Sequence, residues 1–503
     1  MTSKYDEKDI KFTKHFIDGD FRDSKSGKYY ELYDLLKDKS WIKVTEGEKY
    51  DVEVAVTAAY RAFDYGTEWR KLDHTQRGRL LYRLAELLQR DFDYLAWLET
   101  RNTGKTLEDS KFDVKRSIDF LRYYAGYTDK FWTRTDRDKD DYFEFTTKEP
   151  LGIIGLLGDH IDPLWTFIRQ IATVLAGGNT LVYKPSYKTP LTTLYIANLI
   201  NEIGFPKGVV NIVTGKGTIV GEALGLNEYI KHITFTGRRE IGKLFYNYAG
   251  QSNFKTLKFF FTEKTPLFVF DDATIDDAAL IAHHAAFFKD GKSRYRPVRI
   301  YVQDNIYDKF VKRSIELVQK RRLGDLFDKD VRVGSFIDEW HFKKFLDYVE
   351  KAKKDGAKLE FGGKRFGTTG WFAEPTIFSD VRDGCKFLLD YEVYGPIQLI
   401  TRFKKFEDIP DYLRKWNYDR TIGVVSKDFG RFKLLERRLD VNLFFYNSWH
   451  DFKPYLKYQE RQQQDFGDYF DQEYFDRDAI EYYLKKKTID GLWETRKYDT
   501  YTW

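Results

Sequence analysis

The sequence predicts an α/β fold built on a doubly wound parallel sheet, and three observations carry that expectation. Apolar strands alternate with amphipathic helices from residue 150 to 245. A second alternating region runs from 265 to about 445. Alternation of strand and helix at this spacing implies a parallel sheet covered on both faces, and the strands read as buried.

Taken in order, about fifteen polar residues lead into helical patterning that dominates to residue 110. "RGRLLYRLAELLQRDFDYLAWLET" sets Leu80, Leu81, Leu84, Leu87 and Leu88 on one helical face. "LGIIGLLG", "NTLVYKPS", "GVVNIVTG" and "IKHITFTG" read as buried strands. Between the second and third lies a helix, "PLTTLYIANLINEIGF", closed by Gly204 and Pro206. The second region supplies strands "PVRIYVQ", "PIQLITRF" and "TIGVVSK", with helices "IYDKFVKRSIELVQKRRLG" and "EWHFKKFLDYVEKAKKDG". The last sixty residues change character, with Gln-rich "QERQQQD" ahead of an aromatic, charged tail.

Composition excludes several classes of function. Lys and Arg total 84 against 79 Asp and Glu, and the basic runs, such as "KKK" at 485–487, are short and flanked by acids, so no nucleic-acid surface is expected. No apolar stretch is long enough to span a bilayer, and "MTSKYDEKDI" has no apolar leader core, so a cytoplasmic protein without a membrane partner is expected. With a single Cys, Cys385, there is no internal disulfide, and no His pair has convincing metal spacing. Aromatic residues reach 18%, with 42 Phe, 36 Tyr and 11 Trp. Met (only Met1), Cys and Asn (12 residues) are sparse, so the side chains most prone to oxidation or deamidation are depleted.

Two glycine patterns, "TGKGTIVG" after a strand and "FTGRREIG" between strand and helix, have the form of anion-binding turns, a form common in any doubly wound fold. A third turn, "FFKDGKSRYRPVRIYV", sits where a strand junction could present a nucleophile, yet it offers only Lys292, Ser293, Arg294 and Tyr295 around Gly291.

These stretches also stand in a family order. Together with "DVEVAVTAAYRAF", "GFPKGVVNIVTGKG", "ITFTGRREIG" and "EVYGPIQLI", they resemble the aldehyde dehydrogenase superfamily over nearly the whole chain. The resemblance implies a Rossmann-like, NAD-binding-type domain (1–128 and 150–262) and a catalytic-type α/β domain (263–460). It also implies a bridging β-arm with a C-terminal tail (129–149 and 461–503), assembling a homodimer or homotetramer.

The resemblance implies a Cys nucleophile, an Asn oxyanion donor and a Glu general base. The family's Phe-Phe-x-x-Gly-x-x-Cys pattern puts Arg294 at the nucleophile, and a guanidinium has no nucleophilic lone pair. "DHIDPLW" puts Ile161 at the oxyanion Asn, and "FFTEK" puts Phe260 at the Glu. All three roles are thereby vacated. For the cofactor, Lys184 and Glu392 match ribose-binding positions and are read as vestigial surface charges. The ribose-binding acid has become Tyr187, and the small residue facing the pyrophosphate has become Arg238. NAD is therefore expected to bind weakly or not at all.

The function expected is structural, of the lens-crystallin type, since some cephalopod lenses use a member of this family as bulk protein with little or no activity. Aromatic enrichment raises the refractive increment, and mixed charge favours solubility at high concentration. The alternatives are a non-catalytic NAD sensor or scaffold, and an active dehydrogenase with a rebuilt centre.

Overall fold

The computed structural model describes residues 4–36, 39–130, 134–136, 142–261, 265–293, 296–382, 385, 395–416, 421–441, 443–449 and 477–492. Its first sheet has seven strands. In spatial order they are Thr256–Phe261, Ile230–Gly237, Ile153–Leu157, Thr180–Lys184, Val210–Ile212, His15–Ile17 and Asp20–Arg22. The first five are parallel, and the last two join antiparallel. Ile153–Leu157 and Thr180–Lys184 are buried at every residue, because helices cover both faces of the sheet.

From Ile153–Leu157 the chain winds to one side through Thr180–Lys184 and Val210–Ile212. It then crosses back to place Ile230–Gly237 on the other side. The winding direction thus reverses between the Ile153 and Ile230 strands, and the two chain segments leaving their carboxyl ends diverge. A crevice opens there for purely topological reasons.

The helix Pro163–Ala176 starts at that reversal. Pro163 occupies its first turn, where no amide hydrogen is needed, and every residue of the helix is buried. It packs beneath helices His74–Arg90 and Leu107–Ala125. His74–Arg90 begins with reciprocal capping: Asp73 accepts from the Gln76 amide at 2.7 Å, and Gln76 accepts from the Asp73 amide at 2.9 Å. Leu81, Leu84 and Leu88 of its predicted apolar face are fully buried, with Leu80 and Leu87 packed at the margin.

The second sheet orders Lys358–Phe361, Thr376–Ser379, Ile397–Phe403, Pro297–Gln303, Thr265–Val269, Thr421–Val425 and Leu443–Tyr446. All neighbours are parallel except the antiparallel edge strand Lys358–Phe361. Cys385 is buried in the core between this sheet and helix Glu339–Lys354. A third, antiparallel sheet pairs Tyr142–Pro150 with Arg134–Asp136 on one side and Leu484–Leu492 on the other.

The helical expectation for the first 110 residues needs correction. Four strands precede the first long helix: His15–Ile17, Asp20–Arg22, and a hairpin of Tyr29–Asp34 with Lys39–Thr45. Tertiary pairing, to the first sheet in the case of His15–Ile17, makes strands of segments too short and too polar to signal themselves.

Two buried imidazoles tie this N-terminal part and the sheet to pH. His15 Nδ1 accepts from the Thr214 amide at 3.2 Å, which requires the neutral ring. Burial pushes the His15 pKa down to about 4, against the opposing pull of Asp51, and pushes His232 down to about 3. Both folded values lie below the unfolded 6.5, so the unfolded chain binds more protons in that window. The stabilisation is full above pH 6.5 and is lost as pH falls toward 3. Urea titrations should therefore show stability falling by on the order of 2 kcal/mol per ring by pH 4.5. A midpoint that is flat between pH 6.5 and 4.5 would contradict the assignment.

Candidate functional site

The loop that follows Ile153–Leu157 carries Gly158, Asp159, His160, Ile161 and Asp162. At Gly158 a Cβ would lie 1.9 Å from the Tyr183 hydroxyl, so only glycine lets the chain leave the strand here. Around this loop lies a cleft of about 620 Å³, placed at the reversal of the first sheet. Its walls come from the carboxyl ends of the parallel strands, including Leu157, Lys184 and Phe235–Arg238. Trp340 and His341, from the second α/β region, close one side.

A polar latch holds the two regions together at this cleft. Asp338 caps helix Glu339–Lys354 by accepting from the His341 amide at 2.9 Å, and it also accepts from His341 Nδ1 at 2.7 Å. Lys188, on the loop after Thr180–Lys184, ion-pairs with the same carboxylate. Although burial opposes its charge, the His341 and Lys188 contacts hold Asp338 below the usual carboxylate range.

Ile161 is almost fully buried and lines both the large cleft and a second cavity of about 20 Å³. Lys292, from the Gly291 turn, lines that small cavity as well. The turn and the Ile161 loop are therefore neighbours, as the family pattern requires. What lies between them has room for about one water molecule.

The turn itself is held by ions. Gly291 has φ +63°, and a Cβ there would strike the Gly395 carbonyl at 2.3 Å. Lys289 and Asp290 also lie in the left-handed region, at φ 49° and 57°, although neither is glycine. Such backbone persists where the surroundings fix it. Here Lys289 Nζ reaches Asp113 Oδ1 at 2.6 Å and Asp162 Oδ1 at 2.9 Å, while Asp290 Oδ2 accepts from the Gly334 amide at 2.8 Å.

Lys105 donates to Glu99 at 2.8 Å and to Asp113 at 2.5 Å. Arg116 reaches Asp113 at 2.7 Å and Asp162 at 3.3 Å. Burial works against each charge, yet Asp113, Glu99 and Asp162 together raise the Lys105 pKa. In the same way Lys289, Lys105 and Arg116 lower that of Asp162. This cluster beside Ile161 was not anticipated from the sequence. The available signal was "FFKDG", with two charges in a turn flanked by apolar segments.

Phe260 sits near the end of strand Thr256–Phe261 and is buried, with the Arg169 guanidinium 4.0 Å from its ring centroid. It lines a cavity of about 20 Å³ with Arg169 and Tyr483, apart from the one that Ile161 lines with Lys292. Arg294 and Glu392 fall outside the described residues, as do Glu263 and Tyr394.

Lys184 corrects its sequence reading. It is 5% exposed rather than a surface charge, and its Nζ donates to the Pro185 carbonyl at 2.7 Å. Tyr187 stacks on Tyr30, with ring centroids 3.8 Å apart and planes 18° from parallel.

The aldehyde dehydrogenase family model matches residues 21–489. The chain belongs to the aldehyde dehydrogenase family. Among its relatives, omega-crystallin of Enteroctopus dofleini is 40% identical over 89% of this chain and 90% of its own. Omega-crystallin of Nototodarus sloanii is 39% identical over 95% and 97%. Aldehyde dehydrogenase 1A1 of Mesocricetus auratus is equally similar, 39% identical over 88% of each chain. Among solved structures, a betaine aldehyde dehydrogenase mutant of Staphylococcus aureus in complex with NAD+ superposes with a TM-score of 0.90, at 29% identity over 98% of both chains. An NAD+ complex of the Bacillus cereus aldehyde dehydrogenase gives 0.89, at 27% identity over 96% of this chain and 97% of its own.

Family membership implies NAD, and the cleft stands where a doubly wound sheet takes a dinucleotide. The residues beside Lys184 fit that cofactor poorly: no carboxylate stands there to accept from a ribose diol, and Tyr187 offers a ring already stacked on Tyr30. The acids lining the cleft are Asp159 and Glu222, neither of which follows the Lys184 strand. No group of His, Cys, Asp or Glu suited to a metal ion occurs among the described residues, and no described helix is long and apolar enough to cross a membrane.

Proposed function

We propose that this chain is a non-catalytic member of its family with a structural, crystallin-type role. The observation that carries the reading is the residue at the oxyanion position. Ile161 is almost fully buried and offers no donor to an oxyanion, and the cavity it shares with Lys292 of the Gly291 turn is only about 20 Å³. The residues at the three catalytic positions, Arg294, Ile161 and Phe260, supply neither nucleophile, donor nor base. The purified chain should give no aldehyde oxidation above a heat-killed control with NAD+ or NADP+. Turnover that co-purifies with the intact chain would overturn the proposal.

The surface supports the structural role. Among the described large hydrophobic side chains that are exposed, thirteen are aromatic and six aliphatic, and the rings are spread from Tyr29 to Phe429. Phe254 is 81% and Tyr65 77% exposed in the single chain. Several rings carry a cation on one face, such as Lys25 over Tyr50 at 4.0 Å and Arg70 over Tyr65 at 5.0 Å. Rings that fill no core but add polarisability are what an optical role selects. The tail from 469 to 503, with ten aromatic residues, lies mostly outside the described residues. Two omega-crystallins among the relatives favour the same reading, and a lens fibre cell would be the site of expression.

Assembly belongs to this reading as well. Among the described residues, strand Leu484–Leu492 pairs on one side only, which offers a nine-residue edge to a second copy. Light scattering is expected to show a dimer or tetramer at micromolar concentration, and a monomer would refute this. NAD+ itself is expected to bind no tighter than the high micromolar range, for want of the diol acceptor.

A further inference from the structure

Three lysines are enclosed around the Gly291 turn, and one of them is held differently from the other two. Lys105 donates to Glu99 and Asp113, and Lys289 donates to Asp113 and Asp162. Each of those ammonium groups is bonded to two carboxylates, which favour its charged form. The Lys292 side chain is 12% exposed, and its Nζ donates to a neutral acceptor, the Ser335 carbonyl, at 2.8 Å. Asp290, the acid it pairs with, stands 3.6 Å away, beyond hydrogen-bond distance. Burial lowers the Lys292 pKa, and Lys105 acts the same way, against the opposing pull of Asp290 and Asp109. More of this amine is therefore uncharged at neutral pH than of a lysine in water, and an uncharged amine is a nucleophile.

Lys292 also lines the cavity of about 20 Å³, together with Ile161, Phe336 and Ile337. The centre of the Phe336 ring is 5.6 Å from Nζ. By volume this cavity is little more than one water position, so a reagent that meets the amine there must be small. Acyl transfer to nitrogen expels a leaving group, for which the cavity has no room. Addition across a cumulated double bond expels nothing. Carbon dioxide meets both conditions, but it would leave a carbamate anion beside Asp290, where like charges repel. Isocyanic acid meets them and gives an uncharged urea.

We propose that Lys292 is a modification site for isocyanic acid and like uncharged heterocumulenes, which add to its amine within the small cavity and leave it as a urea. The Nζ lone pair forms the bond to carbon. The π pair of the C=N bond moves to the nitrogen of the reagent, which takes up the proton that Nζ gives up. Nothing is oxidised or reduced, and no atom leaves. The urea N–H keeps a donor for the Ser335 carbonyl, whereas the attraction to Asp290 is lost. The reaction needs neither aldehyde turnover nor a bound nucleotide, so it stands or falls separately from the structural role.

Peptide mass mapping of the full chain after brief exposure to potassium cyanate at pH 7 tests it, with the exposed Lys351 as reference. Lys292 should gain the mass of one isocyanic acid at least about threefold faster than Lys351, since each unit by which a lysine pKa falls raises the uncharged fraction about tenfold. Trinitrobenzenesulfonate, too bulky for the cavity, should label Lys351 and spare Lys292. Asp290→Asn removes a carboxylate that favours the ammonium, and Asn tolerates the left-handed backbone at this position. Lys292 should therefore react about twofold faster or more in that variant. A Lys292 that reacts no faster than Lys351, that takes the bulky reagent as readily, or that is slowed or unchanged by Asp290→Asn would in each case overturn the proposal.

Discussion

Asp113→Ala is expected to destabilise the chain by about 3–5 kcal/mol, the cost of removing one member of a buried ionic cluster. Asp113 is fully buried and accepts from Lys105 on one oxygen and Lys289 on the other, with Arg116 at 2.7 Å. Without it two enclosed ammonium groups depend on Glu99 and Asp162, and the Gly291 turn loses a contact that fixes its left-handed residues. Denaturant unfolding measures the loss directly. A control in the exposed pair of Asp347 and Lys351 should change stability by less than about 1 kcal/mol. If the two variants cost the same, the cluster does not hold the turn.

Restoring the nucleophile with Arg294→Cys is expected to produce no dehydrogenase activity, because a catalytic unit lacking its other members loses on the order of 10⁶ in rate. The triple variant Arg294→Cys, Ile161→Asn, Phe260→Glu should fail as well, for a reason specific to this chain. A carboxylate at 260 would lie against the Arg169 guanidinium, now 4.0 Å from the Phe260 ring. That pairing would depress its pKa and occupy its lone pairs, which spoils a general base. Adding Arg169→Ala to the triple variant isolates this effect. Activity from Arg294→Cys alone would show that the small cavity opens to substrate and would sink the argument.

Much of this was legible in the sequence. The parallel strands showed because each is a short apolar run between turn residues, a signal that survives without knowledge of partners. The hairpin at 29–45 was missed, although "YYELYD" alternates and buries Tyr30, Leu32 and Asp34. Its period of two was hidden by polar and charged residues on the open face. Lys184 was misread because a charge in a sequence carries no mark of its depth; its place at the end of "TLVYK" was the available sign. The ion cluster could not be read at all, since Lys105, Asp113, Asp162 and Lys289 meet only through the fold. Ile161 as the replacement of an amide was visible by pattern, but its place between the large cleft and the small cavity beside Lys292 required coordinates.

The crevice at the sheet's reversal is produced by the winding of the strands, and no catalytic side chain is needed to keep it open. Loss of a reaction therefore leaves the concavity in place, and its shape can be inherited through lineages in which nothing selects for chemistry. Filling it would take bulky insertions at several strand ends at once, whereas altering what it attracts would take a change at a single strand end. An enzyme of this topology that lost its reaction would thus keep a receptor whose preferences can change faster than its form.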